Sequence, residues 1–280
     1  MDAQHSPVTI PGLQQMKRDG RKIVGVVAWD YQIAQIVDRV GVEIVSVGDS
    51  VGVNLWGHAS PLEITMNEML VVCKAVRRGV KRALVSCDLP FGPLQQCTET
   101  AVKASALLAN EGGAGMVKLD AAAEFPEAVR AVVRQGILVF AQFGITPHTA
   151  AQYGIAPADA MKPLAQVPDA LTAKFVEEAK RLEDAGASML DFTNSGPVAG
   201  AAVAAAVSIP VLGGLGGGPW LDGRIRMVHG AIGYAASNLD SDTNNYANVA
   251  KIAFDAIGAY AEDVRSGRQI RGAGSAKAAK

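Results

Sequence analysis

The chemistry legible in this chain sits where apolar runs end. Asp30 follows KIVGVVAW (residues 22–29), Asp49 and Ser50 follow VEIVSVG (42–48), and Asp88 lies at the end of RALVSCDL (82–89). Lys118 and Asp120 belong to GMVKLD, Gln142 to ILVFAQFG, and Asp191 to MLDFTN. Carboxylates brought to one place repel one another unless a cation joins them. Oxygen ligands without His or Cys select a hard ion, Mg2+ or Mn2+. The plainer role of a strand-end Asp is to cap the helix that follows. That role competes at any single position, but five acids on consecutive strands argue for a shared site.

These side chains converge only if the strands run parallel with their carboxyl ends on one side. Apolar β-type runs alternate with helical patterns throughout. Strands are expected at 22–29, 42–48, 82–89, 116–119, 137–144, 189–192, 209–212 and 225–228. Helices are expected at 31–40, 65–78, 97–111, 125–134, 170–185, 198–207 and 249–264. The spacing Thr65 to Glu68 is that of a capping box. Expected apolar stripes are Ile33, Ile36, Val37 and Val40 on the first helix, and Ile252, Ala256, Ile257 and Tyr260 on the last. Strand–helix alternation implies parallel βαβ units. Eight such units at about 35 residues each suit a (β/α)8 TIM barrel, whose active site lies at the carboxyl ends of the strands. An open doubly wound sheet is the alternative, but no GxGxxG follows the first strand.

Composition agrees. The 280 residues carry a formal net charge of −1, 49 % are hydrophobic and 19 % charged, which excludes a disordered chain. The charge balance gives no reason to expect nucleic acid as a partner. No run approaches the roughly 18–20 apolar residues of a membrane span. The polar start lacks the apolar stretch of a secretory leader. Three cysteines without CxxC spacing argue against a disulfide framework or zinc site and fit a reducing cytoplasm. The expected organisation is an N-terminal segment (1–21), one barrel domain with its carboxyl-terminal helix (22–266), and a disordered tail (267–280).

The runs VAWDYQIAQIVDRVGVEIVSVGDSVG, ITMNEMLVVCKAVRRGVKRALVSCDLPFG and GAGMVKLD resemble the ketopantoate hydroxymethyltransferase (3-methyl-2-oxobutanoate hydroxymethyltransferase) family. FGITPH and IPVLGGLGGGPWLDGRIRMVHGAIG extend the similarity to roughly residues 11–269. The resemblance implies a barrel related to the phosphoenolpyruvate mutase and isocitrate lyase group. It also implies Mg2+ (or Mn2+), a small 2-oxo acid substrate, 5,10-methylenetetrahydrofolate as co-substrate, and a homo-oligomer, often a decamer. By position it implies Asp49, Asp88 and Asp120 as metal ligands. Ser50 and Lys118, with Gln142 and Asp88 nearby, hold the substrate, and Asp191 is the base at C3.

The implied chemistry is removal of a proton beside a ketone. A metal and a lysine support the developing enolate oxygen while a carboxylate takes the proton. Four positions depart from the family: Asp120 and Asp191 stand for Glu, Gln142 for His and Trp29 for Tyr. Gln142 can hydrogen-bond but carries no proton at neutral pH. Three readings follow: a divergent hydroxymethyltransferase, a paralogue acting as aldolase or lyase on another 2-oxo acid, or a weakly active binding protein.

Other features carry less. GGLGGG (213–218) follows the seventh strand, either as a phosphate loop or as a tight turn. His148 is read as a loop residue, and His229 and Cys87 as core. The long segment 145–169, with Tyr153 and several prolines, has the length of a lid.

Overall fold

The computed structural model describes residues 6–146, 149–156, 159–161, 163–164, 167–240 and 245–272. Its strands are β1 (Ile23–Val27), β2 (Ile44–Val47), β3 (Leu84–Asp88), β4 (Met116–Leu119), β5 (Val139–Gly144), β6 (Met189–Thr193), β7 (Val211–Gly213) and β8 (Gly223–Met227). They close into a barrel in chain order, and each successive pair is parallel. All eight expected strands are present. The last begins two residues earlier than expected, at Gly223.

Side chains alternate along a strand, and here the alternation sorts the interior into layers. Ile23, Ile44, Met116, Phe140, Met189, Leu212 and Ile225 pack as an apolar floor. Two residues further along, the same faces carry Ser46, Ser86, Lys118, Gln142 and Asp191. The Ser86 and Ser46 hydroxyls share a hydrogen bond at 2.8 Å, which satisfies two buried polar groups within this layer. Asp88 and Asp120 stand one more step toward the mouth.

Helices α1 (Ile10–Arg18), α2 (Tyr31–Val40), α3 (Met66–Gly79), α4 (Thr98–Asn110), α5 (Pro126–Arg134), α6 (Thr172–Asp184), α7 (Pro197–Ala206) and α8 (Val249–Arg265) complete the long elements. Thr65 and Glu68 form the expected capping box on α3. The N-terminal segment is more than a polar lead-in. Pro11 lies in the first turn of α1, Thr9 caps that helix, and Leu13 is fully buried in the barrel floor.

Two expected stripes are corrected. On α2 the buried residues are Ala34 and Val37, while Ile36 and Val40 are exposed. On α8 the buried residues are Ala250 and Asp263, while Ile252, Ile257 and Tyr260 are exposed. Periodicity identifies an apolar face without identifying what covers it.

The chain divides into two compact units, Met1–Arg226 and Met227–Lys280. The first contains every candidate site residue. In the second, Asn248 caps α8 through Lys251 N and donates to Asn238 O at 2.9 Å. Arg268 pairs with Asp263 at 2.8 Å, and the rest of the expected tail, 273–280, lies outside the described residues. Among the described residues no helix is long and apolar enough to cross a membrane.

Candidate active site

Lys118 is the centre of the barrel mouth. The β3–β4 register sets it opposite Asp88, and the β5–β6 register sets Gln142 opposite Asp191. Its ammonium lies 3.4 Å from Asp88 Oδ2 and 3.3 Å from Asp191 Oδ2. All three residues are buried. Burial alone would push the lysine pKa down, but the charges of Asp88, Asp191, Asp49 and Asp120 outweigh it and hold it above the ordinary range. Lys118 is therefore a fixed cation, not a proton donor or acceptor at neutral pH.

The acids around it respond oppositely. Burial raises Asp88 to about 6, Lys118 offsets part of the rise, and repulsion from Asp49 and Asp191 adds to it. Asp49 is raised to about 6 by burial, offset by Lys118 and pushed further by Asp120. One lysine among four acids leaves the cluster short of positive charge. Asp88 Oδ1 is buried and has no hydrogen-bond partner among the described residues. A buried, unsatisfied carboxylate oxygen is a costly arrangement unless something binds it.

The remaining expected residues fall around this group. Ser50 begins the helical turn Val51–Leu55 without capping it by its side chain, and its backbone N–H bonds Asp49. Asp49 and Asp120 share a small pocket with Leu89, Phe91 and Leu94. Asp120 Oδ1 accepts from Ala121 N at 2.6 Å. Gln142 Nε2 donates to Thr193 Oγ1 at 3.0 Å, which orients the amide from the neighbouring strand. Asp30 stands apart: its Oδ1 accepts Ile33 N at 2.9 Å as the cap of α2.

Other contributors act through backbone amides and turn geometry, and the glycine run 213–218 is here a tight turn. Gly214 N donates to Asp191 Oδ1 at 3.1 Å, so the carboxylate is held on both oxygens. The glycine run supplies that amide from a tightly packed turn. At Gly216, whose φ is +66°, a Cβ would stand 2.2 Å from Asn194 Oδ1. Asn194 is itself left-handed, at φ 52°, a conformation Asn tolerates better than most residues. It donates to Ile145 O at 2.8 Å and accepts from Leu164 N at 3.0 Å, fastening two points of the long segment after β5 beside the mouth. Cys87 and His229 are buried as expected, and His148 lies outside the described residues.

The family model described as ketopantoate hydroxymethyltransferase matches residues 7–269. The chain belongs to that family. Curated relatives agree along the whole length. A 3-methyl-2-oxobutanoate hydroxymethyltransferase from a Cyanothece species is 36 % identical over 270 residues, 95 % of this chain and 99 % of its own. One from Salinibacter ruber is 35 % identical over 258 residues, 92 % of this chain and 95 % of its own. The hydroxymethyltransferase family is one of transferases, and its barrel here has solved counterparts.

A 2,3-dimethylmalate lyase, described as a PEP mutase/isocitrate lyase superfamily member, superposes with TM-score 0.59 at 13 % identity. It covers 92 % of this chain and 87 % of the lyase. Phosphonopyruvate hydrolase in complex with oxalate and Mg2+ superposes with TM-score 0.55 at 13 % identity, over 93 % of this chain and 88 % of its own. At such identities the likeness concerns the fold alone.

Proposed function

We propose that this chain transfers a hydroxymethyl group from 5,10-methylenetetrahydrofolate to 2-oxoisovalerate, giving ketopantoate, in a Mg2+-dependent reaction. The observation that carries this reading is the Asp88–Lys118–Asp191 array with one Asp88 oxygen buried and unpartnered. The residues fit a hard cation: the donors are all oxygens, and they are short of positive charge. Among the described residues no three His, Cys, Asp or Glu side chains cluster as a complete metal cage. Mg2+ suits that situation, because it is held by one or two carboxylates and keeps positions for water and substrate. Asp49 and Asp88 are assigned as its direct ligands, with Asp120 adding negative charge beside Asp49. When bound, Mg2+ supplies positive charge to the keto and carboxylate oxygens of the 2-oxo acid.

The chain's own groups do the rest. Lys118 places a permanent positive charge where the substrate's keto oxygen gains negative charge on enolisation. Asp191, held by Lys118 and by Gly214 N, takes the proton from C3. Its two anchors set its reach, and a misplacement of ~1 Å can cost ~10²-fold in rate. Gln142, tethered to Thr193, shapes the wall without exchanging a proton. Ser50 offers a hydroxyl beside Asp49 for the substrate carboxylate. A homo-oligomer is part of the same proposal, supported by the exposed Ile252, Phe254 and Ile257 on α8, and light scattering tests it.

The test is exchange of the C3 proton of 2-oxoisovalerate in D2O with Mg2+, followed by NMR. Exchange that becomes net ketopantoate formation on adding methylenetetrahydrofolate is the expected result. Exchange without product assigns the chain to another 2-oxo acid reaction, and no exchange refutes the enolisation mechanism. Asp49→Ala and Asp88→Ala should each abolish the rise in melting temperature that Mg2+ gives.

A further inference from the structure

Trp29 stands two residues past the end of β1, and the reaction above gives it no role. Its backbone is fixed on both sides. Before it, Ala28 N donates to Ser46 O at 2.9 Å, which carries the β1–β2 pairing past the strand end. After it, Asp30 caps α2 by accepting Ile33 N at 2.9 Å. The side chain is only 3 % exposed. A buried indole N–H needs an acceptor. Here it donates to Gly48 O at 3.1 Å.

Gly48 leads β2 into the site. The strand ends at Val47, and Asp49 and Ser50 come directly after the glycine. Gly48 is buried and closely surrounded. A Cβ on it would stand 2.9 Å from Val27 Cγ1, 3.0 Å from Ser50 Oγ and 3.6 Å from Trp29 Nε1. Its carbonyl also accepts Val51 N at 3.1 Å, the bond that opens the helical turn Val51–Leu55. Asp49 O and Ser50 O carry the turn on by accepting Gly52 N at 3.2 Å and Asn54 N at 3.0 Å.

The Gly48 carbonyl and the Asp49 nitrogen belong to one peptide plane, which is rigid. A bond to that oxygen from β1 therefore fixes the plane, and with it the direction in which the Asp49 side chain leaves the backbone. The Asp49 carboxylate is drawn by Lys118, repelled by Asp120 and held by the Ser50 N–H. Mg2+ demands near-ideal octahedral geometry at about 2.0–2.1 Å, so the aim of each protein ligand matters. A glycine is the residue that fits this crowded corner, and it is also the residue with the most backbone freedom. The indole N–H removes that freedom.

We propose that Trp29 is a positioning residue for the cation site: its indole N–H locks the Gly48–Asp49 peptide and so aims the Asp49 carboxylate at the metal. The proposal rests on the reading of Asp49 as a Mg2+ ligand and adds how the end of β1 sets a ligand carried by β2. Trp29 acts through Gly48 and touches no reacting atom, so its effect falls on metal affinity. Bonds that orient metal ligands are typically worth 10–100-fold in affinity. Acting through the backbone, Trp29 belongs at the lower end, about tenfold.

The test is calorimetric titration with Mg2+ at pH 8, above the range near 6 in which Asp49 and Asp88 take up protons. Trp29→Phe keeps an aromatic ring in the space and removes the N–H. Gly48 O keeps its bond from Val51 N, so the carbonyl is not stranded. The Kd for Mg2+ should rise about tenfold. A rise below fivefold overturns the proposal, whatever the melting temperature of the metal-free variant, because a purely structural Trp29 would change that temperature and leave the Kd alone.

Gly48→Ala provides a second variant should Trp29→Phe not fold. It leaves the indole in place and crowds the same peptide from the side of Val27 and Ser50. It should weaken Mg2+ binding at least fivefold, and wild-type affinity in it overturns the proposal. A wild type that takes up no Mg2+ refutes the metal-ligand reading and the proposal with it. Normal uptake by wild type with an unchanged Kd in Trp29→Phe refutes the role of Trp29 alone.

Discussion

Replacing Lys118 with methionine keeps most of the side-chain volume and removes the cation between Asp88 and Asp191. Its ammonium stands 3.4 Å from Asp88 Oδ2 and 3.3 Å from Asp191 Oδ2. At an effective dielectric constant of ~20, one such contact is worth about 5 kcal/mol. Desolvation of the buried charges offsets a large part of it. A net effect of roughly half on Asp88 corresponds to about two pH units at ~1.4 kcal/mol per unit. Asp88 is raised to about 6 even with the lysine present, so the variant carries its protonation through neutrality.

The assay is the Mg2+-induced rise in melting temperature between pH 5 and pH 9. Protons compete with the cation for Asp49 and Asp88, so in the wild type the rise should fade as pH drops below about 6. In Lys118→Met the fading should begin about two pH units higher. At pH 9 the variant should bind Mg2+ at least as well as wild type, because a neighbouring positive charge is gone. Fading at the same pH in both proteins would refute the placement of Lys118 as the group that keeps Asp88 ionised.

The metal-free protein should melt at a lower temperature at pH 7 than at pH 5. Asp49 and Asp88 are raised to about 6 in the fold against 3.8 for an ordinary Asp carboxyl, so their stabilising protonation is complete below about pH 4 and lost as pH rises through about 6. The effect for the pair is on the order of 3 kcal/mol, and a melting temperature in EDTA that rises from pH 5 to pH 7 contradicts it. Asp191→Asn should slow C3 exchange by ~10²–10⁴-fold, whereas Asp191→Glu should stay within about tenfold of wild type if proton removal needs only a carboxylate at that strand position. An equal loss in both variants means the site is built around the length of Asp. Asn194→Ala strips the bonds to Ile145 O and Leu164 N and should cost roughly 2–4 kcal/mol by urea unfolding. A cost below ~0.5 kcal/mol shows that these bonds do not fasten the segment after β5.

The strands and long helices were readable because each carries a local signal. The capping box at Thr65 and Glu68 and the cap at Asp30 are short-range chemistry, and both formed as the spacing requires. The α1 helix is not legible in the sequence because it is polar and short, and only Leu13, plugging the barrel floor, gives it a core role. The exposed faces of α2 and α8 depart from the expected stripes for the converse reason: apolar spacing reports a face and leaves its partner unstated.

Period-two alternation along the strands is a property of the sequence. Ile44 to Ser46, Met116 to Lys118, Phe140 to Gln142 and Met189 to Asp191 each step from floor to polar layer, but the sequence marks Lys118, Gln142 and Asp191 only as polar residues near strand ends, and the closed barrel decides that they face inward. The family resemblance implies roles for them, which the exchange and melting experiments test. The sequence could not show which acids touch the lysine, since contacts across the barrel depend on strand register and closure. Closure set Asp88 and Asp191, 103 positions apart, against one ammonium and left Asp30 on the rim as a helix cap. It also brought Gly214 N to Asp191 and left Glu178 with an unpartnered oxygen. A backbone amide and an unsatisfied oxygen have no signature in residue type, because both are defined by what the rest of the fold places next to them.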